Sequence, residues 1–287
     1  MPLNITPTTN HREREKGCIV YPVYSRRSEG LSVGINLFPD KKKCPFDCPY
    51  CEVFPFSGNA AFSYEQMEED LRSVIVSAQN QNIKIRDICF SGNGEPTLSA
   101  VFPEAFRRTE EIRAEMTASS HLVVITNGAG LLQPQIFSIL KNAACLEQPE
   151  GFLDIWLKLD AGTPEWYQKM NRTDIPFEKL VKTIKKFVSC APVTIQTMLC
   201  FINGEKPPSD EQDAWETLVC ELANAHTAAP ENGNCNIRKV QLYGKARPAP
   251  EDPLASQLPD NYIDERTASI RRKFADKGIT TPVEIYY

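Results

Sequence analysis

Residues 152–160 read FLDIWLKLD. Successive side chains of a strand point to opposite faces. This stretch therefore sets Leu153, Ile155, Leu157 and Leu159 against Asp154, Trp156, Lys158 and Asp160. A strand covered by helices on both faces reads as apolar throughout, and this one does not. The same division recurs in three other stretches. Residues 31–38 oppose Leu31, Val33, Ile35 and Leu37 to Ser32, Gly34 and Asn36. Residues 193–201 oppose Val193, Ile195 and Leu199 to Thr194, Gln196, Met198 and Cys200. Residues 236–243 oppose Val240 and Leu242 to Lys239, Gln241 and Tyr243. One face suits helices and the other a polar, ligand-filled interior, as in a barrel or partial barrel. The alternative is a sheet with one face in solvent, as in some α+β folds.

Two further strands are read at 87–91 and 121–126. Helices are read between and after the strands. Ser63 opens the first, with Gln66 placed to complete a capping box, and it runs to about residue 79. The others fall at 102–116, 134–142, 165–169, 177–189, 210–225 and 260–277, and residues 282–287 add a short terminal strand. Six strand–helix units in series imply an α/β fold with parallel strands, a partial (β/α)6 TIM-type barrel. Residues 1–17 are polar and read as a flexible tail. No repeat, low-complexity tract or linker interrupts 18–287, which read as a single domain.

The 287 residues are 41% hydrophobic and 24% charged, ordinary for a globular chain. A formal net charge of −5 argues against a dominant electrostatic grip on nucleic acid. Neither a signal peptide nor an apolar run of the ~20 residues that would cross a bilayer is present, so no membrane partner is expected. The ten cysteines include seven scattered singly, at Cys18, Cys89, Cys145, Cys190, Cys200, Cys220 and Cys235. That is no disulfide framework, and a cytoplasmic location with reduced thiols follows.

The remaining three form C-x3-C-x2-C within KKKCPFDCPYCEVF, at Cys44, Cys48 and Cys51. Three thiolates can hold three irons of a [4Fe–4S] cubane, and a closed electron-transfer site takes a fourth. None is near in sequence, so one iron would stay open to a small ligand, as a catalytic cluster requires. A structural zinc site would want a second pair of ligands. A redox pair of Cys48 and Cys51 would leave Cys44 unused. Lys41, Lys42 and Lys43 lie beside the trio, as a solvated loop or an attraction for an acidic partner.

With an aromatic residue, Tyr50, before its last cysteine, this motif resembles that of the radical S-adenosylmethionine (SAM) superfamily. Ser91-Gly92-Asn93-Gly94-Glu95-Pro96-Thr97-Leu98 after the second strand resembles the segment that holds the amino group of SAM in that family. Thr126-Asn127-Gly128 and Lys158-Leu159-Asp160-Ala161 follow the third and fourth strands as the family has them. A narrower likeness, carried by Tyr21-Pro22-Val23, Ser25-Arg26-Arg27, Gly34-Ile35-Asn36-Leu37, Met170-Asn171-Arg172 and Ala246-Arg247-Pro248, is to the branch with the wyosine-base tRNA synthase and uncharacterised bacterial Fe–S oxidoreductases. The wyosine enzyme has cysteines for a second cluster ahead of the trio, whereas only Cys18 precedes Cys44 here.

The resemblance implies a [4Fe–4S] cluster on Cys44, Cys48 and Cys51, reductive cleavage of SAM, and a 5′-deoxyadenosyl radical that takes hydrogen from an unidentified small molecule, nucleotide or peptide. It implies an electron donor such as flavodoxin or ferredoxin. Glu95 would accept from the SAM ammonium, with Gly92, Asn93 and Gly94 allowing close backbone approach. Tyr50 would pack near adenine. Lys158 and Asp160 would bind SAM or substrate, or form a buried salt bridge. Gln196 would reach the ribose or be a core amide, and Asn127 would bind SAM or serve the turn. Arg26, Arg27, Lys239, Tyr243 and Arg247 are substrate candidates, the cations for a phosphate or carboxylate unless ion-paired. Cys200 is a hydrogen donor or an inert thiol. A tRNA-modifying enzyme and a non-catalytic Fe–S or zinc module are the competing functions.

Overall fold

The computed structural model describes residues 17–146, 153–224, 237–251 and 253–287. The tail through residue 16, and Phe152, Ala225, Cys235 and Asn236, lie outside the described residues. The chain forms two compact units whose pieces alternate along the sequence. The first takes Met1–Cys44, Pro55–Thr126 and Leu146–Asp154, and the second Pro45–Phe54, Asn127–Cys145 and Ile155–Tyr287.

In the first unit, β1 (Val20–Ser25) and β2 (Gly30–Ile35) form an antiparallel hairpin. Next to β2 lies β3 (Ile85–Phe90), and next to β3 lies β4 (His121–Thr126), both pairs parallel. Strand β1 was not expected from the sequence: VYPVYS lacks apolar alternation and contains Pro22. Proline is tolerated on an outer strand, where its missing N–H costs no ladder bond. Tyr21 lies across Gly34, where a Cβ would come within 2.2 Å of its ring. Helix α1 (Tyr64–Asn80) begins at Ser63, whose hydroxyl accepts from Gln66 N at 3.2 Å. Only half of the capping box forms, because the Gln66 amide turns to Asp70 at 2.8 Å. Its buried residues Met67, Leu71, Ile75 and Ala78 make one stripe at helical spacing. Helix α2 (Phe102–Met116) and β4 have the bounds expected. Phe90, Phe102 and Phe106 stack at 5.4–5.9 Å between ring centres.

In the second unit, β5 (Leu153–Lys158), β6 (Val193–Ile202), β7 (Ile237–Gly244) and β9 (Val283–Tyr286) follow one another in parallel, the first two residues of β5 belonging to the other unit. A short β8 (Ala255–Gln257), also not expected, runs antiparallel to the end of β6. Helices α3 (Pro134–Ala144), α4 (Pro164–Asn171), α5 (Phe177–Val188), α6 (Ser209–Asn224) and α7 (Asp260–Asp276) complete it. At Gly162 an added Cβ would lie 2.1 Å from Trp215 N, so α6 sits directly on the turn after β5. The same contact is tied by Glu211, which accepts from Gly162 N at 2.6 Å, and by Trp215, whose indole donates to Leu159 O at 2.9 Å.

Strand register puts Trp156, Thr194 and Lys239 in one row of side chains, and Lys158, Gln196, Gln241 and Glu284 in the next. Thr194, Gln196 and Gln241 are fully buried. The polar sheet face is thus an interior and not a solvent surface. Among the described residues no helix is long and apolar enough to cross a membrane.

Candidate active site

The first unit builds the glycine-rich segment around Asn36. Strand β2 stops at Ile35, short of the residue 38 read from sequence, because the Asn36 side chain takes over the bonding. Its Oδ1 accepts from Phe38 N and from Asn93 N, each at 3.1 Å. Gly92 (φ +119°) passes so close that a Cβ would meet Asn36 Oδ1 at 2.8 Å. Gly94 (φ +154°) lies against the backbone of Lys43, the residue before Cys44. Lys43 N donates to Asn93 O, and Glu95 N donates to Lys43 O, both at 2.9 Å. Close backbone approach at Gly94 is therefore to the cysteine loop itself. Glu95 is buried, and its Oε1 accepts from Thr97 N at 3.2 Å, from the Thr97 hydroxyl, and from the Thr126 hydroxyl at 2.7 Å. Tyr21 and Ser91 share a hydroxyl–hydroxyl bond of 2.8 Å at the head of the segment.

The second unit gathers Tyr50, Lys158, Asp160, Asn171 and Tyr243 into one bonded group that meets Cys48 through Asn171. Asp160 accepts from the Tyr50 hydroxyl, from Met198 N at 2.8 Å and from Asn171 Nδ2 at 3.4 Å, and pairs with Lys158 Nζ at 3.1 Å. Lys158 Nζ also donates to the Tyr243 hydroxyl and lies 4.9 and 4.8 Å from the ring centres of Tyr50 and Tyr243. Burial would depress the Lys158 ammonium, but the Asp160 charge and the Tyr243 hydroxyl outweigh it and hold it above the usual lysine range. Burial pushes the Cys48 thiol up to about 11, with the Asn171 amide pulling the other way from 3.4 Å. Helix α4 seats the loop: Asp47 N donates to Asn171 O at 3.0 Å, and Arg172 pairs with Asp47 at 3.7 Å and Glu251 at 2.9 Å.

The other candidates divide. Gln196 is buried and donates to Gln241 Oε1 at 2.7 Å, and Gln241 donates to Glu284 at 3.0 Å. Asn127 serves its turn, accepting from Ala129 N at 2.9 Å. Lys239 pairs with Glu284 at 3.2 Å, and Arg247 with Glu52 at 3.3 Å. Burial pushes the Cys200 thiol up to about 12. Arg26 and Arg27 occupy the turn before β2, while residues 91–95 leave the far end of β3, where Ile35 pairs Phe90. The unexpected hairpin thus carries both arginines to the opposite end of the sheet from Glu95. Asn171 was legible only as part of a family motif and Gln241 only as part of the polar face of its strand, while Tyr167 and Glu284 carried no signal of their own.

None of Cys44, Cys48 and Cys51 is in a disulfide. Among the described residues no three Cys, His, Asp or Glu side chains are gathered as a site for a single metal ion. A single zinc draws its ligands to ~2.3 Å, whereas a cubane takes each thiolate on a different iron. Three thiolates are the donors that a cubane takes, one on each of three irons.

Residues 41–209 match the family model described as the radical SAM superfamily, and the chain belongs to that superfamily of enzymes. Within that class it falls with the UPF0026 proteins. It is 32% identical over 277 residues to the one from Helicobacter pylori strain J99, covering 88% of this chain and 83% of the relative. It is 28% identical over 185 residues to UPF0026 protein slr1464 of Synechocystis, covering 62% of this chain and 63% of the relative. Solved structures similar to this chain include two that share its fold. SuiB of Streptococcus suis gives a TM-score of 0.60 at 12% identity over 91% of this chain, which spans about half (51%) of SuiB. A radical SAM methyltransferase from Sphaerobacter thermophilus gives 0.59 at 14% identity, over 92% of this chain and 68% of the other. At such identities the likeness shows the fold alone. That fold is the mostly parallel α/β partial barrel of TIM type which the alternating strands imply.

Proposed function

We propose that this enzyme holds a [4Fe–4S] cluster on Cys44, Cys48 and Cys51 and uses SAM to take hydrogen from a substrate still to be identified. The observation that carries the reading is the cysteine trio within eight residues, inside the superfamily match. When bound and reduced, the cluster supplies the electron that cleaves the sulfonium of SAM and so the radical chemistry of the superfamily.

The chain's own residues position and shield. Gly92, Asn93 and Gly94 set the backbone beside Glu95, and Glu95 accepts from the SAM ammonium while Thr97 and Thr126 hold its carboxylate in place. Lys158 offers a charge to the carboxylate or ribose, oriented by Asp160 and Tyr243. Tyr50, fixed by its bond to Asp160, walls the site beside the cluster ligands and helps to exclude water. Lys41–Lys43 attract an acidic electron carrier of the flavodoxin or ferredoxin type. The need for reduced thiols to hold iron supports a cytoplasmic location.

Anaerobic reconstitution followed by EPR with and without SAM tests this. A cubane signal that changes on SAM addition is expected, and Cys48→Ala should abolish it. Glu95→Gln should keep the cubane but weaken SAM binding roughly tenfold or more, the worth of one charge-assisted hydrogen bond. Zinc in place of iron, or a cubane indifferent to SAM, would overturn the reading.

A further inference from the structure

Helix α4 carries Tyr167 and Asn171 four residues apart and therefore on one face. Asn171 Nδ2 donates to the Cys48 sulfur at 3.4 Å. Tyr167 is 5% exposed, with its ring edge-on to Phe46 at 5.8 Å and tilted against Phe177 at 5.3 Å. Among the described residues its hydroxyl has no hydrogen-bond partner. A buried hydroxyl left without a partner is destabilising, so the position calls for an acceptor that arrives with something else. Phe46, which the Tyr167 ring meets edge-on, stands two residues before Cys48 on the cysteine loop.

We propose that α4 aims two donors, the Asn171 amide and the Tyr167 hydroxyl, at the cluster corner held by Cys48, and that together they raise the reduction potential of the cluster. The inference rests on the reading of Cys48 as a cluster ligand. A hydrogen bond to sulfur withdraws charge and stabilises the reduced, more negative cluster more than the oxidised one. The two residues are thus positioning and tuning groups that ease entry of the electron.

The test is an EPR-monitored redox titration of the reconstituted full chain without SAM. Tyr167→Phe removes one oxygen and keeps the ring contacts. Gln168→Ala changes an exposed residue of the same helix. Tyr167→Phe should shift the midpoint to more negative potential at unchanged iron content, and Gln168→Ala should match the wild type. An unchanged midpoint in Tyr167→Phe overturns the inference while the cluster reading stands, and a wild type that forms no cubane overturns both. Should Tyr167→Phe lose its cluster, ENDOR after exchange into D2O decides. A cluster-coupled exchangeable proton that survives Asn171→Leu supports the hydroxyl donor, and its absence overturns it.

Discussion

Replacing Gly94 by alanine is expected to destabilise the protein by about 3–5 kcal/mol and to cost it most of its iron. The added Cβ would lie 1.9 Å from the Lys43 carbonyl oxygen and 2.6 Å from its carbon, both backbone atoms that no side-chain rotation can clear. The residue sits at φ +154°, where an L side chain is strained by about 1–3 kcal/mol. Relief requires the two segments to part, which breaks the pair of 2.9 Å bonds between Lys43 and residues 93 and 95, each worth about 1 kcal/mol net. The iron loss follows because Lys43 is the residue that sets the backbone entering Cys44. Urea unfolding gives the first quantity and iron content after anaerobic reconstitution the second. A variant within 1 kcal/mol of wild type (on the same scale) and fully loaded with iron would show that the two segments are not joined in this way.

Asp160→Ala is expected to cost about 3–5 kcal/mol, the range for stripping one partner from a buried ion pair. Asp160 is 6% exposed and answers four donors: Met198 N, the Tyr50 hydroxyl, Asn171 and Lys158. Without it the Lys158 ammonium keeps only the Tyr243 hydroxyl and two aromatic rings. The pH dependence has a definite sign. Lys158 is raised in the folded protein, so its contribution is complete below the ordinary lysine value of about 10.4 and fades as pH rises through the folded value. The gap between wild type and Asp160→Ala should therefore hold from neutral pH to about 10 and narrow only above it. Lys158→Met with Asp160→Leu, which removes both charges, should recover much of the loss. Urea unfolding of the wild type and the two variants at pH 7 and above 10 checks both points. Equal losses in the single and double variants would mean that Asp160 acts through packing and not through charge.

Several features were legible in the chain because they are local. Helix α2 and strand β4 have the bounds read from the sequence. The polar faces of β5, β6 and β7 were visible as a period of two, and burial of Thr194, Gln196 and Gln241 agrees with an interior role. Other features depend on pairing between distant segments. The row Lys158–Gln196–Gln241–Glu284 is fixed by register, and a one-residue slip would have turned every member to the opposite face. Strand β1 forms because β2 gives it a partner and Gly34 leaves room for the Tyr21 ring, neither of which the composition of VYPVYS announces.

The sequence by itself determined the alternation of strands and helices, the polar sheet face and the three thiols within eight residues. Each of these is written in spacing along one short segment. Only the tertiary structure decided that Gly94 makes room for Lys43, that Arg26 and Arg27 lie at the far end of β2 from Glu95, that Asp160 accepts from Tyr50, and that Asn171 donates to Cys48. Those outcomes turn on contacts between residues tens to more than a hundred positions apart, where backbone hydrogen bonding, register and desolvation select the partner and no local pattern records the choice.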